Sequence, residues 1–217
     1  MQYIGIDLSG PSNTKDTVLV HFTKEKDKLF YIKHETPMND HALMTYIESL
    51  ANTDSVTIGV DAPLSYEDGG GDRESDRSLR AFVTKLGMKG ASIMPPTMMR
   101  MVYLSLRGIR LTREIERLAT KYEVHIVEVH PGAALGARME RIDDVLHYKQ
   151  DRPTRKRIWS WFETQQFIGI PEEMAEESHT IDACAAALAA WHWQDPVLEP
   201  AWLYKACIPL HPYDFCC

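Results

Sequence analysis

The stretch Tyr3-Ile4-Gly5-Ile6-Asp7-Leu8-Ser9 is a short apolar run that ends in an aspartate and a turn. An aromatic and β-branched run of this length, bounded by turn residues, predicts a β-strand over residues 3–8. A second such run, Val56-Thr57-Ile58-Gly59-Val60-Asp61, also ends in an aspartate, and a third covers residues 124–130 with Glu128 near its end. The sequence therefore predicts three buried strands that each carry a carboxylate close to the carboxyl end.

The segments between these strands complete an alternating pattern of strands and helices. Two further strands are predicted at residues 17–22 and 28–33, on either side of a charged turn. The spacing of apolar residues predicts helices over residues 40–50, 98–106, 111–122, 153–167 and 180–193, and another helix through Leu79, Phe82, Val83 and Leu86. The resulting order βββαβαβα is that of the RNase H-like fold, so we expect an α/β domain with a five-stranded mixed sheet flanked by helices. Right-handed crossovers would make the strands 3–8, 56–61 and 124–130 parallel and adjacent, with their carboxyl ends at one edge.

The length of the chain bounds its domain organisation. With 217 residues it is long enough for one well-filled core and short for two, so we expect a single domain over residues 1–217. An insertion is predicted near residues 62–97, where glycine and proline runs interrupt the pattern. A flap over a site and an ordinary surface insertion are both compatible with that composition. Residues 196–217 are predicted to form an extended or irregular tail.

The charge balance and the cysteine positions exclude several classes of protein. The chain has 24 basic and 31 acidic residues, a net charge of -7, so there is no global positive field to attract nucleic acid. A phosphate would have to be bound by a local patch or a metal. No run approaches the roughly 18 apolar residues of a membrane helix, and the first residues lack the pattern of a signal peptide. We therefore expect a cytoplasmic protein with no membrane partner and with its four cysteines reduced.

Four acidic residues are candidates for a metal site. Asp7, Asp61 and Glu128 are expected to meet at the carboxyl edge of the sheet, and Asp182 opens an alanine-rich helix that can pack close to it. Burying several carboxylates together is costly unless a cation compensates, and oxygen ligands prefer Mg²⁺ or Mn²⁺. The alternative is that each aspartate only forms a turn or caps a helix, which is common after a strand.

Basic and histidine side chains near these acids are the next candidates. His130 and His179 flank the predicted acidic set and are candidate proton carriers, or simply turn and cap residues. Arg73 and Arg77 share one side of a short helix, where they would hold a phosphate or form internal ion pairs. The most concentrated basic stretch, residues 149–157, is a candidate track for a phosphate backbone or a solvated helix face.

The chain also resembles a known family of proteins. The motifs that carry the likeness are Tyr3–Asp7, Ile58–Leu64, Arg73 with Asp76-Arg77, Glu128–Pro131 and His179–Ala183. They are similar to those of the domain-of-unknown-function family four-twenty-nine, whose members are described as predicted nucleases with an RNase H fold. The resemblance extends from residue 2 to about residue 193. It implies that Asp7, Asp61, Glu128 and Asp182 are the catalytic and metal-binding set, and that Arg73, Arg77 and His130 contact the substrate.

Three functions are therefore open at the level of the sequence. The first is a metal-dependent nuclease or phosphodiesterase that acts on DNA or RNA through Mg²⁺ or Mn²⁺. The second is an actin-like or sugar-kinase-like phosphotransferase, since residues 5–10 resemble a first phosphate loop, although such proteins need two domains of this size. The third is a structural or binding module whose acids merely cap strands. A strong stabilisation by Mn²⁺ alone is expected only of the first.

Overall fold

The computed structural model describes all 217 residues and shows one mixed sheet with helices on both faces. The strands are β1 (Gln2–Asp7), β2 (Val18–Glu25), β3 (Lys28–Glu35), β4 (Val56–Asp61), β5 (Val124–Val129), β6 (Phe167–Ile168), β7 (Leu203–Tyr204) and β8 (Phe215–Cys216). The helices are α1 (Asp40–Ala51), α2 (Glu74–Lys85), α3 (Val102–Glu116), α4 (Pro131–Gly136), α5 (Ile142–His147), α6 (Arg152–Thr164) and α7 (Ser178–Gln194). No helix is both long enough and apolar enough to cross a bilayer.

The sheet has the order β6-β3-β2-β1-β4-β5-β8-β7. β1, β4 and β5 are parallel neighbours, while β2 runs antiparallel to both β1 and β3. The predicted mixed α/β sheet and the adjacency of the three parallel strands are therefore confirmed. The expected number of five strands was wrong, because β6, β7 and β8 extend the sheet to eight. Each of these three has only two residues, which is too short for a periodic pattern to reveal.

The two segments that look irregular in the sequence both contribute regular structure. The predicted insertion at residues 62–97 contains α2, which begins at Glu74 and confirms the helix predicted around Leu79 and Val83. The predicted tail at residues 196–217 contains β7 and β8, and β8 pairs with β5 in parallel. Phe215 and Cys216 are buried, so this tail covers the edge of the sheet beside β5.

The two faces of the sheet have separate hydrophobic cores, and alternate strand residues contribute to each. Tyr3, Val20 and Val127 point to the face covered by α7. Ile4 and Val60 point to the opposite face, with side chains of α1 and α3. This alternation decides on which face each acidic side chain lies.

Helix α7 lies unusually close to the sheet because both surfaces have little side-chain bulk. A Cβ added at Gly5 would lie 1.8 Å from the carbonyl oxygen of Ala183, and one at Gly59 would lie 2.3 Å from that of Ala186. Both distances are far shorter than any atomic contact allows, so only glycine fits at these two positions. The close approach brings the first turn of α7 to the carboxyl ends of β1 and β4.

Candidate active site at the carboxyl edge of the sheet

Asp7 and Asp61 are side by side at the ends of neighbouring strands. The register of β1 and β4 pairs Gly5 with Gly59 and Asp7 with Asp61. Adjacent strands lie about 4.8 Å apart, and paired residues of parallel strands point to the same face. Because Gly5 and Gly59 both face α7, Asp7 and Asp61 point toward that helix as well.

The amino-terminal end of α7 adds His179 and Asp182 to the two strand-end aspartates. Ligand atoms of Asp7, His179 and Asp182 all lie within 4.8 Å of one another. His179 Nδ1 is 2.6 Å from Asp7 Oδ2, so these two side chains are in direct hydrogen-bond contact. We call Asp7, Asp61, Asp182 and His179 the acid cluster.

The residues after α5 supply two donors to Asp182. The buried Tyr148 hydroxyl donates to one carboxylate oxygen of Asp182. The Lys149 ammonium lies 3.0 Å from the other, Oδ2. None of these bonds reaches Asp61, and no ion pair or side-chain hydrogen bond joins its carboxylate to another group. Asp61 therefore has a carboxylate with no partner of opposite charge in direct contact.

Burial and repulsion make the carboxylates of Asp7 and Asp61 hold protons more strongly. Burial, against the opposing hydrogen bond from His179 and with a further contribution from the charge of Asp182, raises the pKa of Asp7 to about 6. The pKa of Asp61 lies well above its ordinary value, first because of burial and then because of Asp7 and Asp182. The hydrogen bond to Asp7 raises the pKa of His179. A divalent cation would reverse this preference by stabilising the ionised carboxylates.

The Glu128 side chain leaves β5 on the face of the sheet opposite to the acid cluster, although it lines the same cavity as Asp7 and Asp61. Glu128 pairs with Val60 rather than with Asp61, and residue alternation turns its side chain away from α7. Its carboxylate accepts from Arg73 Nη1 at 2.8 Å and Nη2 at 2.5 Å, and from the Leu64 N–H at 2.9 Å. Three donors therefore already surround Glu128.

The predicted substrate-binding side chains occupy three different environments. Arg73 is only 3% exposed, and its guanidinium also contacts Asp76. Arg77 is exposed on α2 and donates to the Asp72 carbonyl at 2.8 Å. His130 caps α4 by accepting the Ala133 N–H at 3.0 Å, and burial lowers its pKa. Binding of substrate by any of the three stays a prediction.

The sequence of this chain matches a family model over residues 5–201, and the description of that family is "Protein of unknown function (DUF429)". The chain belongs to this family. The resemblance seen in the motifs is therefore confirmed. No curated protein and no solved structure gives a significant match.

A cavity of about 270 Å³ opens at the acidic edge of this DUF429 protein. Asp7, Asp61 and Lys149 line it, together with His130 and the apolar side chains of Met101 and Leu104 at the start of α3. A small polar group that enters the cavity meets carboxylates, an ammonium and an imidazole at once. Chemistry on a charged, oxygen-rich substrate is consistent with that lining.

Most of the basic side chains at residues 149–157 form ion pairs with acidic residues of the DUF429 protein itself. Arg152 pairs with Glu176, Lys156 with Glu172, and Arg157 with Asp144.

Tyr148 and Lys149 are the site residues that the sequence did not reveal, since their contact with Asp182 spans more than thirty residues. The sequence shows only that Lys149 lies just before a predicted helix, and this position does not indicate a contact with Asp182.

Proposed function

We propose that this protein is a metal-dependent hydrolase that cleaves phosphodiester bonds in DNA or RNA. Asp7, Asp61 and Asp182 would hold Mg²⁺ or Mn²⁺, while His179, which is bonded to Asp7, would remain free of the metal. The observation that carries the proposal is the meeting of three carboxylates, one of them without a cationic partner, at the carboxyl edge of parallel strands. Hard oxygen donors of this kind fit Mg²⁺ or Mn²⁺.

The proposal includes an RNase H-like identity for the fold. The order β3-β2-β1-β4-β5, with β2 antiparallel and the last three strands parallel, agrees with the βββαβαβα order from which that fold was expected. The three short strands would then be additions at the two edges of a five-stranded centre.

The side chains of the site have separate roles in this proposal. A bound metal would supply Lewis acidity, which lowers the pKa of water and neutralises charge on a leaving oxygen. His179 is half-exposed and bonded to Asp7, so it can accept a proton and return it to solvent. Tyr148 fixes the orientation of Asp182. We do not assign Glu128 as a metal ligand, because Arg73 and the Leu64 N–H already occupy its oxygens.

Calorimetry and a cleavage assay test the proposal together. The wild-type protein should bind Mn²⁺, and Asp61→Asn should weaken that binding by at least about tenfold while abolishing cleavage of single-stranded or duplex DNA and RNA. Asp68→Asn is the matched control, since Asp68 is exposed in a loop outside the acid cluster and should change neither quantity. A wild-type protein that binds no Mn²⁺, or an Asp61→Asn protein with unaltered binding, would overturn the proposal.

A further inference from the structure

We propose that the Lys149 ammonium is the cation that the acid cluster holds when no metal is bound, and that it moves to the substrate phosphate when a metal takes its place. The inference deepens the proposed function and rests on it. It adds one residue, Lys149, that competes with metal in one state of the site and binds substrate in the other.

The competition follows from the contacts of Asp182. One of its oxygens accepts from the Tyr148 hydroxyl and the other lies 3.0 Å from Lys149 Nζ. Tyr148 is buried and fixed by its surroundings, whereas the Lys149 side chain is 58% exposed. An ion that coordinates Asp182 must therefore displace Lys149 rather than Tyr148. The positive charges of the ion and the ammonium would also repel each other at this distance.

The position of Lys149 also fits a phosphate ligand. Its side chain lines the 270 Å³ cavity with Asp7 and Asp61, and it lines a second cavity of about 370 Å³ that includes Asp182. Lysine has a flexible stem of four carbons and a compact charge, so it can move between two anions that lie a few ångströms apart. A phosphate held near the metal would be such a second anion.

The test uses two ligands and gives opposite expected changes. Lys149→Met should bind Mn²⁺ roughly tenfold more tightly than the wild type in calorimetry, because the competing charge is gone. The same variant should bind inorganic phosphate at saturating Mg²⁺ at least about tenfold more weakly. Lys149→Arg should restore phosphate binding. Lys156→Met is the matched control and should change neither affinity, because Lys156 lies on α6 outside the acid cluster and forms an ion pair with Glu172.

Each remaining outcome separates this inference from the proposed function. If the wild-type protein binds no Mn²⁺, both are overturned. If it binds Mn²⁺ but Lys149→Met binds it equally or less tightly, only the inference fails and Lys149 is a structural partner of Asp182. If Lys149→Met binds Mn²⁺ more tightly but binds phosphate as the wild type does, the proposed contact between Lys149 and phosphate is wrong. The competition between Lys149 and the metal then still stands.

Discussion

At the scale of single residues, the buried carboxylates of the acid cluster lower the stability of the folded protein, and a bound metal would offset this loss. Asp7 is 8% exposed and lies beside two other carboxylates, and its pKa is raised to about 6. The ionised form is therefore less favourable in the folded protein than in the unfolded chain. In the proposed function, the residues that would hold the metal therefore lower the stability of the metal-free protein.

The pH dependence of unfolding should report this cost at Asp7. The pKa of Asp7 in the folded state, about 6, exceeds its ordinary value of 3.8, so ionisation opposes folding as the pH rises through this range. The metal-free Asp7→Asn protein should gain stability relative to wild type between about pH 4 and pH 6, by up to about 3 kcal/mol at the upper end. His179 keeps its proton through most of that range, because its pKa is raised. Urea unfolding at a series of pH values measures the difference, and a difference that stays constant with pH would contradict the assignment.

The residues at the acidic edge were not equally easy to predict from the sequence. Asp7 and Asp61 follow from the rule that parallel strands end at one edge, and Asp182 from the slim helix that can approach it. Glu128 lines the same cavity, but it leaves the sheet on the other face because Val127 and Val129 face α7, and the sequence did not show this difference. Whether Glu128 nonetheless contributes to a metal site stays untested.

At the scale of secondary-structure elements, Glu128 connects β5 to α2. Arg73 ends the irregular segment after β4, and its guanidinium contacts Glu128 on the sheet and Asp76 on α2. The Arg73 guanidinium also lies over the Phe215 ring at 5.4 Å, so the same group contacts β8. A single buried arginine thus holds three elements around the acidic edge.

Removing the charge of Glu128 should affect stability more than metal binding. Glu128→Gln leaves Arg73 buried with only one acidic partner, and a buried ion pair broken from one side costs about 3 kcal/mol. We expect a loss of that size in urea unfolding, with the Mn²⁺ affinity within about twofold of wild type. Asp72→Asn is the control, because the half-exposed Asp72–Arg80 pair should cost about 1 kcal/mol or less. A loss of Mn²⁺ binding in Glu128→Gln with little loss of stability would restore Glu128 as a ligand.

At the scale of the whole molecule, the order of long elements was predictable and their edges were not. The three long parallel strands and the antiparallel β2 have six to eight residues each, enough for composition and turns to mark them. β6 and β8 exist only because distant segments meet β3 and β5, so their pairing depends on tertiary contacts that a single sequence does not show. The Arg73–Glu128 pair, 55 residues apart, was hidden for the same reason.

The charge of the whole molecule decides how a nucleic acid would bind. The net charge is -7, and the basic stretch at residues 149–157 is tied to Glu176, Glu172 and Asp144 by ion pairs. The long-range field therefore repels a polyanion, and most cations of this stretch already have an acidic partner within the protein.

Binding of a short oligonucleotide should accordingly require a divalent ion and depend weakly on monovalent salt. Fluorescence anisotropy should show no measurable binding in EDTA and measurable binding with Ca²⁺, with a slope of log affinity against log salt between about -1 and -3. Arg152→Gln should leave that slope unchanged, because Arg152 is already paired with Glu176. A slope steeper than about -5, or equal binding in EDTA, would mean that a basic surface binds the phosphates. The contacts at the acid cluster would then not be what holds the substrate.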